Sequence, residues 1–323
     1  MESHRIRFDG RAFLVTGAGR GLGRSQALLL ASRGAKIVVA DNGVAMDGED
    51  ADARPAETVA GEINASGGAA VACTADIGTE SGSKQAVEAS LAAFGRIDGI
   101  VHYASTSPDL KTADVLSSTA LELVMRVNPF AGLWMARAAW AHMVGRRFGR
   151  IVYMPSAGIY GALGNTDYAA AKAAYIGMMR CLALEGAKHG ILVNAVAPSA
   201  RTRMTERFHP SAYADWFFET MTPEKVAVGV AYLLSEECEI HGEIFAMGGG
   251  RIARVTLAES EGVIGAGSSI EEVREVMGRV MADTKFFYPK DLTERSRTVA
   301  ELFGFRGSLE ASNDYAVRPV GKG

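Results

Sequence analysis

Cysteine is scarce in this chain of 323 residues: Cys73, Cys181 and Cys238 are odd in number and far apart. They offer neither a disulfide framework nor a zinc-ligand spacing, so buried thiols in a reducing compartment are expected and no metal site is. Long apolar runs are missing as well. No stretch approaches the roughly 18 apolar residues of a membrane span, and Met1-Glu2-Ser3-His4-Arg5 lacks the apolar core of a secretory signal. A cytoplasmic protein without membrane attachment is the expectation, and the final Val320-Gly321-Lys322-Gly323 matches no peroxisomal signal of the Ser-Lys-Leu type. Excess charge of one sign is also absent. With 34 basic against 37 acidic residues, the formal net charge of -3 gives no broad attraction for nucleic acid, leaving a small molecule as the expected partner.

What is present is an ordinary globular composition, 48% apolar and 22% charged, long enough for one large domain with an appendage. Short β-rich apolar runs alternate with helical patterns: Ala12–Val15, Lys36–Ala40, Ala70–Cys73, Gly99–His102, Arg150–Met154, Ile191–Val196 and Gly242–Phe245. This alternation predicts an α/β fold, a doubly wound parallel sheet covered on both faces. Between Asp41 and about Glu57 a Gly-, Asp- and Ala-rich stretch reads as a long surface loop. After Gly248-Gly249-Gly250 the rhythm stops, and Ser269-Ile270-Glu271-Glu272 supplies a capping box for a helix to about Ala282. The division expected is therefore 1–250 as the main domain and 251–323 as a helical extension, packed on that domain or on a partner subunit.

The first strand runs directly into Thr16-Gly17-Ala18-Gly19-Arg20-Gly21-Leu22-Gly23 and then into a helix. Glycines there permit a sharp turn and close approach to a pyrophosphate, and the helix N-terminus offers free N–H groups to the anion, the arrangement of a Rossmann dinucleotide site. Asp41, ending the second strand, suits an acidic residue that accepts from an adenosine ribose. Arg20 suits a 2′-phosphate instead. A carboxylate about 4 Å from a phosphate charge costs roughly 4 kcal/mol at an effective dielectric of 20, more than an exposed arginine returns, so NAD is expected over NADP. Asp76, after the third strand, is placed to face the adenine amine or simply to sit solvated in its loop.

Tyr168 and Lys172 stand four apart in Tyr168-Ala-Ala-Ala-Lys172, with Ser156 twelve residues upstream. On a helix they share a face. An ammonium beside the phenol is expected to stabilise the phenolate and bring a group with an ordinary pKa of about 10 into use as a general acid and base. Pro129 removes a backbone N–H just after Asn128 and predicts a local break in a helix there.

With these motifs and Asn194-Ala195-Val196-Ala197-Pro198 in this order, the chain resembles the short-chain dehydrogenases/reductases over about residues 8 to 250. Ala138–Met143, Gly158–Gly161, Leu182–Gly186, Ala197–Thr205 and Ile270–Arg274 resemble one branch, the 3-hydroxyacyl-CoA dehydrogenase part of peroxisomal multifunctional enzymes and its stand-alone bacterial relatives. The resemblance implies Tyr168 as the acid-base residue, Lys172 as its support and holder of the nicotinamide ribose, Ser156 on the substrate oxygen, and Asn128 in a water-borne proton relay. It implies cofactor contacts from Gly17, Arg20, Gly21, Leu22, Gly23, Asp41, Asp76, Ile77, Tyr103, Ala104, Tyr168, Lys172 and Pro198. It further implies a homodimer or homotetramer through the helices carrying Asn128 and Tyr168. The family's usual Asn-Asn-Ala-Gly after the fourth strand is here His102-Tyr103-Ala104-Ser105, and His102 reads as a satisfied strand residue. Phe208, Tyr213, Trp216, Phe217 and Phe218 read as core, dimer contact or an apolar lid. The resemblance implies NAD-dependent interconversion of a secondary alcohol and a ketone, the alcohol being a 3-hydroxyacyl-CoA whose acyl group can be steroid-like, with a free steroid, terpenoid or polyketide alcohol, or a non-catalytic dinucleotide-binding module, as alternatives.

Overall fold

The computed structural model describes residues 5–44, 52–107, 110–265, 267 and 269–307. Its first element, β1 (Ala12–Thr16), is buried along its whole length, as a strand covered on both faces must be. Alternate side chains point to opposite faces. Phe13 and Val15 join a buried cluster with Leu30 and Val230, whereas Leu14 joins the other cluster with Ile100, Met135 and Met179.

The chain continues through α1 (Gly21–Ser32), β2 (Lys36–Ala40), α2 (Arg54–Ala65), β3 (Ala69–Cys73), α3 (Glu80–Phe94) and β4 (Gly99–His102). The second half holds α4 (Ser118–Met125), α5 (Ala131–Arg146), β5 (Gly149–Tyr153), α6 (Thr166–Gly186), β6 (Ile191–Pro198), α7 (Ala212–Thr220), α8 (Pro223–Leu234), β7 (Ile244–Gly248) and β8 (Arg251–Val255). The sheet order is β3-β2-β1-β4-β5-β6-β7-β8, parallel from β3 to β7. The order reverses between β1 and β4. That switch point opens a crevice at the C-terminal ends of the strands, where open α/β sheets bind ligands.

Two boundaries differ from the sequence reading. The loop after Asp41 ends sooner, because α2 starts at Arg54 with Pro55 in its first turn, a position where the missing N–H costs nothing; residues 45–51 of that loop lie outside the described residues. The main unit runs to Val255 rather than residue 250. Gly249 and Gly250, with φ of +61° and +90°, make a two-residue hairpin turn, and β8 returns antiparallel to β7. The second compact unit, Thr256–Gly323, holds β9 (Glu259–Ser260), α9 (Ile270–Ala282), β10 (Phe286–Phe287) and α10 (Leu292–Leu302). Its β9 and β10 pair antiparallel, and the Ser269 hydroxyl caps α9 by accepting from the Glu272 N–H, as the capping box predicts.

Candidate active site

The glycine turn lies between β1 and α1 at the switch point. Gly17 has φ +64°, and a Cβ there would lie 2.7 Å from the Ala104 nitrogen, so only glycine lets the backbone after β4 come this close. Gly23 is equally constrained: its Cβ would fall 2.2 Å from the Gly17 carbonyl oxygen. Arg20 precedes α1 without a side-chain cap, so the first-turn N–H groups of α1 are left to a ligand anion. Gly21 opens the helix, and Leu22 packs against the core beneath it. This cradle fits a dinucleotide pyrophosphate.

Asp41 follows β2 at the same edge, and its two carboxylate oxygens accept from the N–H groups of Gly19 and Gly43, both at 2.8 Å. The carboxylate is thereby fixed beside the glycine turn. Arg20 is exposed, and a second arginine that sequence reasoning left unassigned reaches the same place: Arg203 donates from Nη1 to the Val44 carbonyl at 3.3 Å. Burial and then Arg20 lower the Arg203 pKa while Asp41 raises it, so Arg203 senses both the Arg20 charge and the Asp41 carboxylate. No sequence spacing links residues 41 and 203; only their convergence on one sheet edge does.

The other expected cofactor contacts are distributed along the same edge. Exposed Asp76 accepts from the Gly78 N–H at 2.9 Å, closing its own turn, and Ile77 buries its side chain in the core. Tyr103 points inward, its hydroxyl donating to Gln26 Oε1 at 3.0 Å, so what it presents to the crevice is backbone. Ala104 donates its N–H to Thr16 Oγ1 at 3.1 Å. Pro198 ends β6.

Ser156, Tyr168 and Lys172 converge beyond β5. Ser156 caps a short 3-10 turn, Ala157–Tyr160, with Oγ accepting from the Gly158 N–H at 3.1 Å, and its side chain is among the groups that draw the Tyr168 pKa down. Lys172, one turn on from Tyr168 in α6, is buried, with Nζ 5.4 Å from the Tyr168 ring centroid and donating to the Met154 carbonyl at 2.9 Å. The expected lowering of the phenol by Lys172 needs correction. Burial raises the Tyr168 pKa, and the opposing contributions come from hydrogen bonds with Ser156 and Ser105. Lys172 faces the ring, and burial brings its own pKa down to about 7, which halves its charge near neutrality.

Asn128 sits in the break that Pro129 predicted. Residues Arg126–Phe130 form a π-helical turn with Pro129 inside it, the insertion typical of functional positions. Asn128 is buried; its Nδ2 donates to the Val124 carbonyl at 2.8 Å and its Oδ1 accepts from the Ser105 hydroxyl at 2.9 Å. Its carbonyl oxygen is 3.0 Å from His102 Nε2. A carbonyl only accepts, so Nε2 carries the proton and Nδ1 accepts from the Thr16 hydroxyl at 2.7 Å. His102 is thus satisfied on both sides, as expected for a strand residue. Burial, then the Lys172 charge, push its pKa down to about 4, which keeps the imidazole neutral.

In the segment after β6, Phe217 is buried, whereas Tyr213 and Trp216 are exposed on the same helix. Phe208 meets Phe217 edge-on at 5.3 Å and stacks on Phe218 at 6.3 Å. This is a self-packed aromatic cluster with an uncovered side. Among the described residues, no group of three or more His, Cys, Asp or Glu side chains is placed to hold a metal ion, and no helix is long and apolar enough to cross a membrane.

A glycine cradle at the switch point with a Ser-Tyr-Lys cluster across the crevice defines a dinucleotide-dependent oxidoreductase. The short chain dehydrogenase family profile matches residues 11–211, and the chain belongs to that family. A short-chain type dehydrogenase/reductase of Mycobacterium tuberculosis is 41% identical over 253 residues, 78% of this chain and 87% of that one. The peroxisomal multifunctional enzyme type 2 of Drosophila melanogaster is 35% identical over 304 residues, 92% of this chain and 50% of that enzyme. Its full-length structure superposes with a TM-score of 0.76 at 30% identity, covering 93% of this chain and 50% of that one. The chain thus spans about half the length of that relative. A 7α-hydroxysteroid dehydrogenase solved with NADH and 7-oxo glycochenodeoxycholic acid matches with a TM-score of 0.66 at 25% identity, over 77% of this chain and 97% of that one.

Proposed function

We propose that this oxidoreductase interconverts a secondary alcohol and a ketone with NAD, and that its substrate is a 3-hydroxyacyl-CoA. One observation carries the reading: the Tyr168 phenol ring, 5.4 Å from the buried Lys172 Nζ that is tied to the Met154 carbonyl just beyond β5, stands at the same sheet end as the glycine cradle. A bound nicotinamide supplies or accepts the hydride. The chain's own residues move the proton. In the oxidation direction Tyr168 as phenolate takes the alcohol proton at Oη, and Ser156 holds the same substrate oxygen; in reduction Tyr168 returns it. Lys172 holds the nicotinamide ribose. Likeness to the multifunctional enzyme along 92% of the chain, tail included, supports the acyl-CoA substrate.

NADH formation across 3-hydroxyacyl-CoA, steroid and small alcohols tests this. Faster oxidation of the acyl-CoA is expected; preference for a free steroid, terpenoid or polyketide alcohol would overturn the substrate, and tight dinucleotide binding without turnover on any alcohol would favour a binding module.

NAD is proposed over NADP on the fixed position of Asp41. Arg20 in the glycine turn and Arg203, which senses the Asp41 charge, are both solvent-exposed, and an exposed arginine returns only about 0–1 kcal/mol to a phosphate. The measured Kd for NADP is expected to exceed that for NAD by about 100-fold or more, and Asp41→Ala should narrow the gap at least about tenfold. Tighter binding of NADP by the native chain would reverse the assignment.

A homodimer or homotetramer is proposed through α4, α5 and α6, supported by uncovered Leu121, Phe130, Leu133 and Leu184 on or between these helices. Light scattering that gives a monomer mass would remove this proposal. A cytoplasmic location is supported by three free cysteines.

A further inference from the structure

Two aromatic rings stand within reach of the Lys172 ammonium. Helical spacing brings them there: Tyr168 lies four residues before the lysine and Tyr175 three after it, so all three side chains share one face of α6. Nζ is 5.4 Å from the Tyr168 ring centroid and 5.4 Å from that of Tyr175, inside the roughly 6 Å over which a ring face attracts a cation. The sequence singles out the first ring by its four-residue spacing; the second is visible only in the fold.

Tyr175 is fully buried, and its hydroxyl meets no hydrogen-bond partner among the described residues. What this side chain gives its surroundings is its ring. Two strands hold that ring in place: Tyr153 of β5 stacks on it at 5.3 Å with 21° between the planes, and His102 of β4 meets it at 6.0 Å and 76°. Tyr153 is anchored in turn, its hydroxyl donating to the Gly132 carbonyl at 3.1 Å. The aromatic wall beside Lys172 is therefore built on the sheet rather than on α6 alone.

A buried ammonium needs such a wall. Lys172 donates to the Met154 carbonyl at 2.9 Å, a neutral acceptor that offsets only part of the hydration lost on burial. A ring face adds negative potential without a net charge, and it does so most strongly where water is excluded. We propose that Tyr175 is a positioning residue for the reaction: its ring, backed by Tyr153 and His102, holds the Lys172 ammonium in place beside Tyr168. The inference rests on the reading of Lys172 as the holder of the nicotinamide ribose.

The titratable groups around the amine are Tyr168 and Tyr175 on α6 and His102 on β4, with Tyr153 of β5 behind Tyr175. Asp167, in the first turn of α6, accepts from the Tyr168 backbone N–H, and Glu122 of α4 and Arg126 of the π-helical turn are exposed. His102, with its pKa pushed down to about 4, stays neutral across the range in which Lys172 titrates.

Two replacements of similar shape separate the ring's electrostatics from its packing. Tyr175→Phe keeps the ring face and drops the unpartnered hydroxyl. Pentafluorophenylalanine, introduced at position 175 through a reassigned codon, keeps the ring but reverses the charge on its face. In full-length protein carrying 13Cε-labelled lysine, without substrate, Lys172 is titrated by NMR and assigned by its loss in Lys172→Met. Its midpoint is expected to hold within about 0.3 pH unit in Tyr175→Phe and to fall by about one unit with the fluorinated ring. From a starting value of about 7, that fall cuts the ammonium fraction at pH 7 about fivefold, and oxidation of the best alcohol should slow by the same factor relative to Tyr175→Phe. Equal midpoints with the two rings would overturn the role of Tyr175, and so would a lowered midpoint with unchanged turnover. Full turnover in Lys172→Met would instead sink the reading of the lysine beneath it.

Discussion

Tyr168→Phe is expected to reduce turnover by about 10²–10⁴-fold, the range of a lost general acid-base group, while dinucleotide affinity stays within about twofold. The substitution deletes one oxygen and preserves the ring that stands 5.4 Å from Lys172 Nζ, so packing in α6 is retained. What is lost is the hydroxyl whose pKa Ser156 and Ser105 pull down against the effect of burial. Equal rates for the native and substituted protein on every active alcohol would place the proton transfer elsewhere. Because burial raises the phenol pKa, oxidation should accelerate as pH rises toward the phenolate form, whereas reduction, which needs the phenol proton, should decline over the same window.

Lys172→Met is expected to make the protein more stable and less active. The lysine is buried, and burial lowers its pKa from 10.5 to about 7. Between those values the unfolded chain binds the extra proton, so folding stability rises with pH across the window from about 7 to 10.5. Below pH 7 the full cost of a buried charge is present, at most about 5 kcal/mol. Removing the amine relieves that cost but leaves the Met154 carbonyl without its donor, which takes back about 1–3 kcal/mol. Urea unfolding should therefore show a gain of about 2–4 kcal/mol near pH 6 that falls as pH rises and becomes a loss of about 1–3 kcal/mol above about pH 10.5. A stability difference independent of pH would mean that Lys172 does not titrate differently in the folded chain. Activity falls in the same variant, since the nicotinamide ribose loses its proposed holder.

Much of this was readable in the sequence because it is local. The strands announce themselves as short apolar runs, the cradle as glycines between a strand and a helix, and the Tyr168–Lys172 pair as a helical spacing. Asn128 was readable through Pro129, whose missing N–H forces the break that became a π-turn. Relations across the sheet were not readable. Ser105 and Asn128 are 23 residues apart, and their contact depends on how far the π-turn rotates the amide toward β4. Arg203 reaches Val44 across 159 residues. The state of Lys172 was missed for a different reason: four-residue spacing fixes which face a side chain shares, but not how dry that face is. β8 was missed because its exposed Arg251 and Arg254 lack the apolar pattern of the seven strands before it.

That last strand has a consequence for handling the protein. A sheet ending at β7 would present a row of unpaired amides to any passing chain, and such rims template strand-to-strand aggregation. The glycine hairpin folds β8 over that rim, and the new rim carries charged Arg251 and Arg254, the latter tied to Glu243 at 2.7 Å. Cutting the chain after Gly250 would strip this guard and leave a domain that sticks to its own copies.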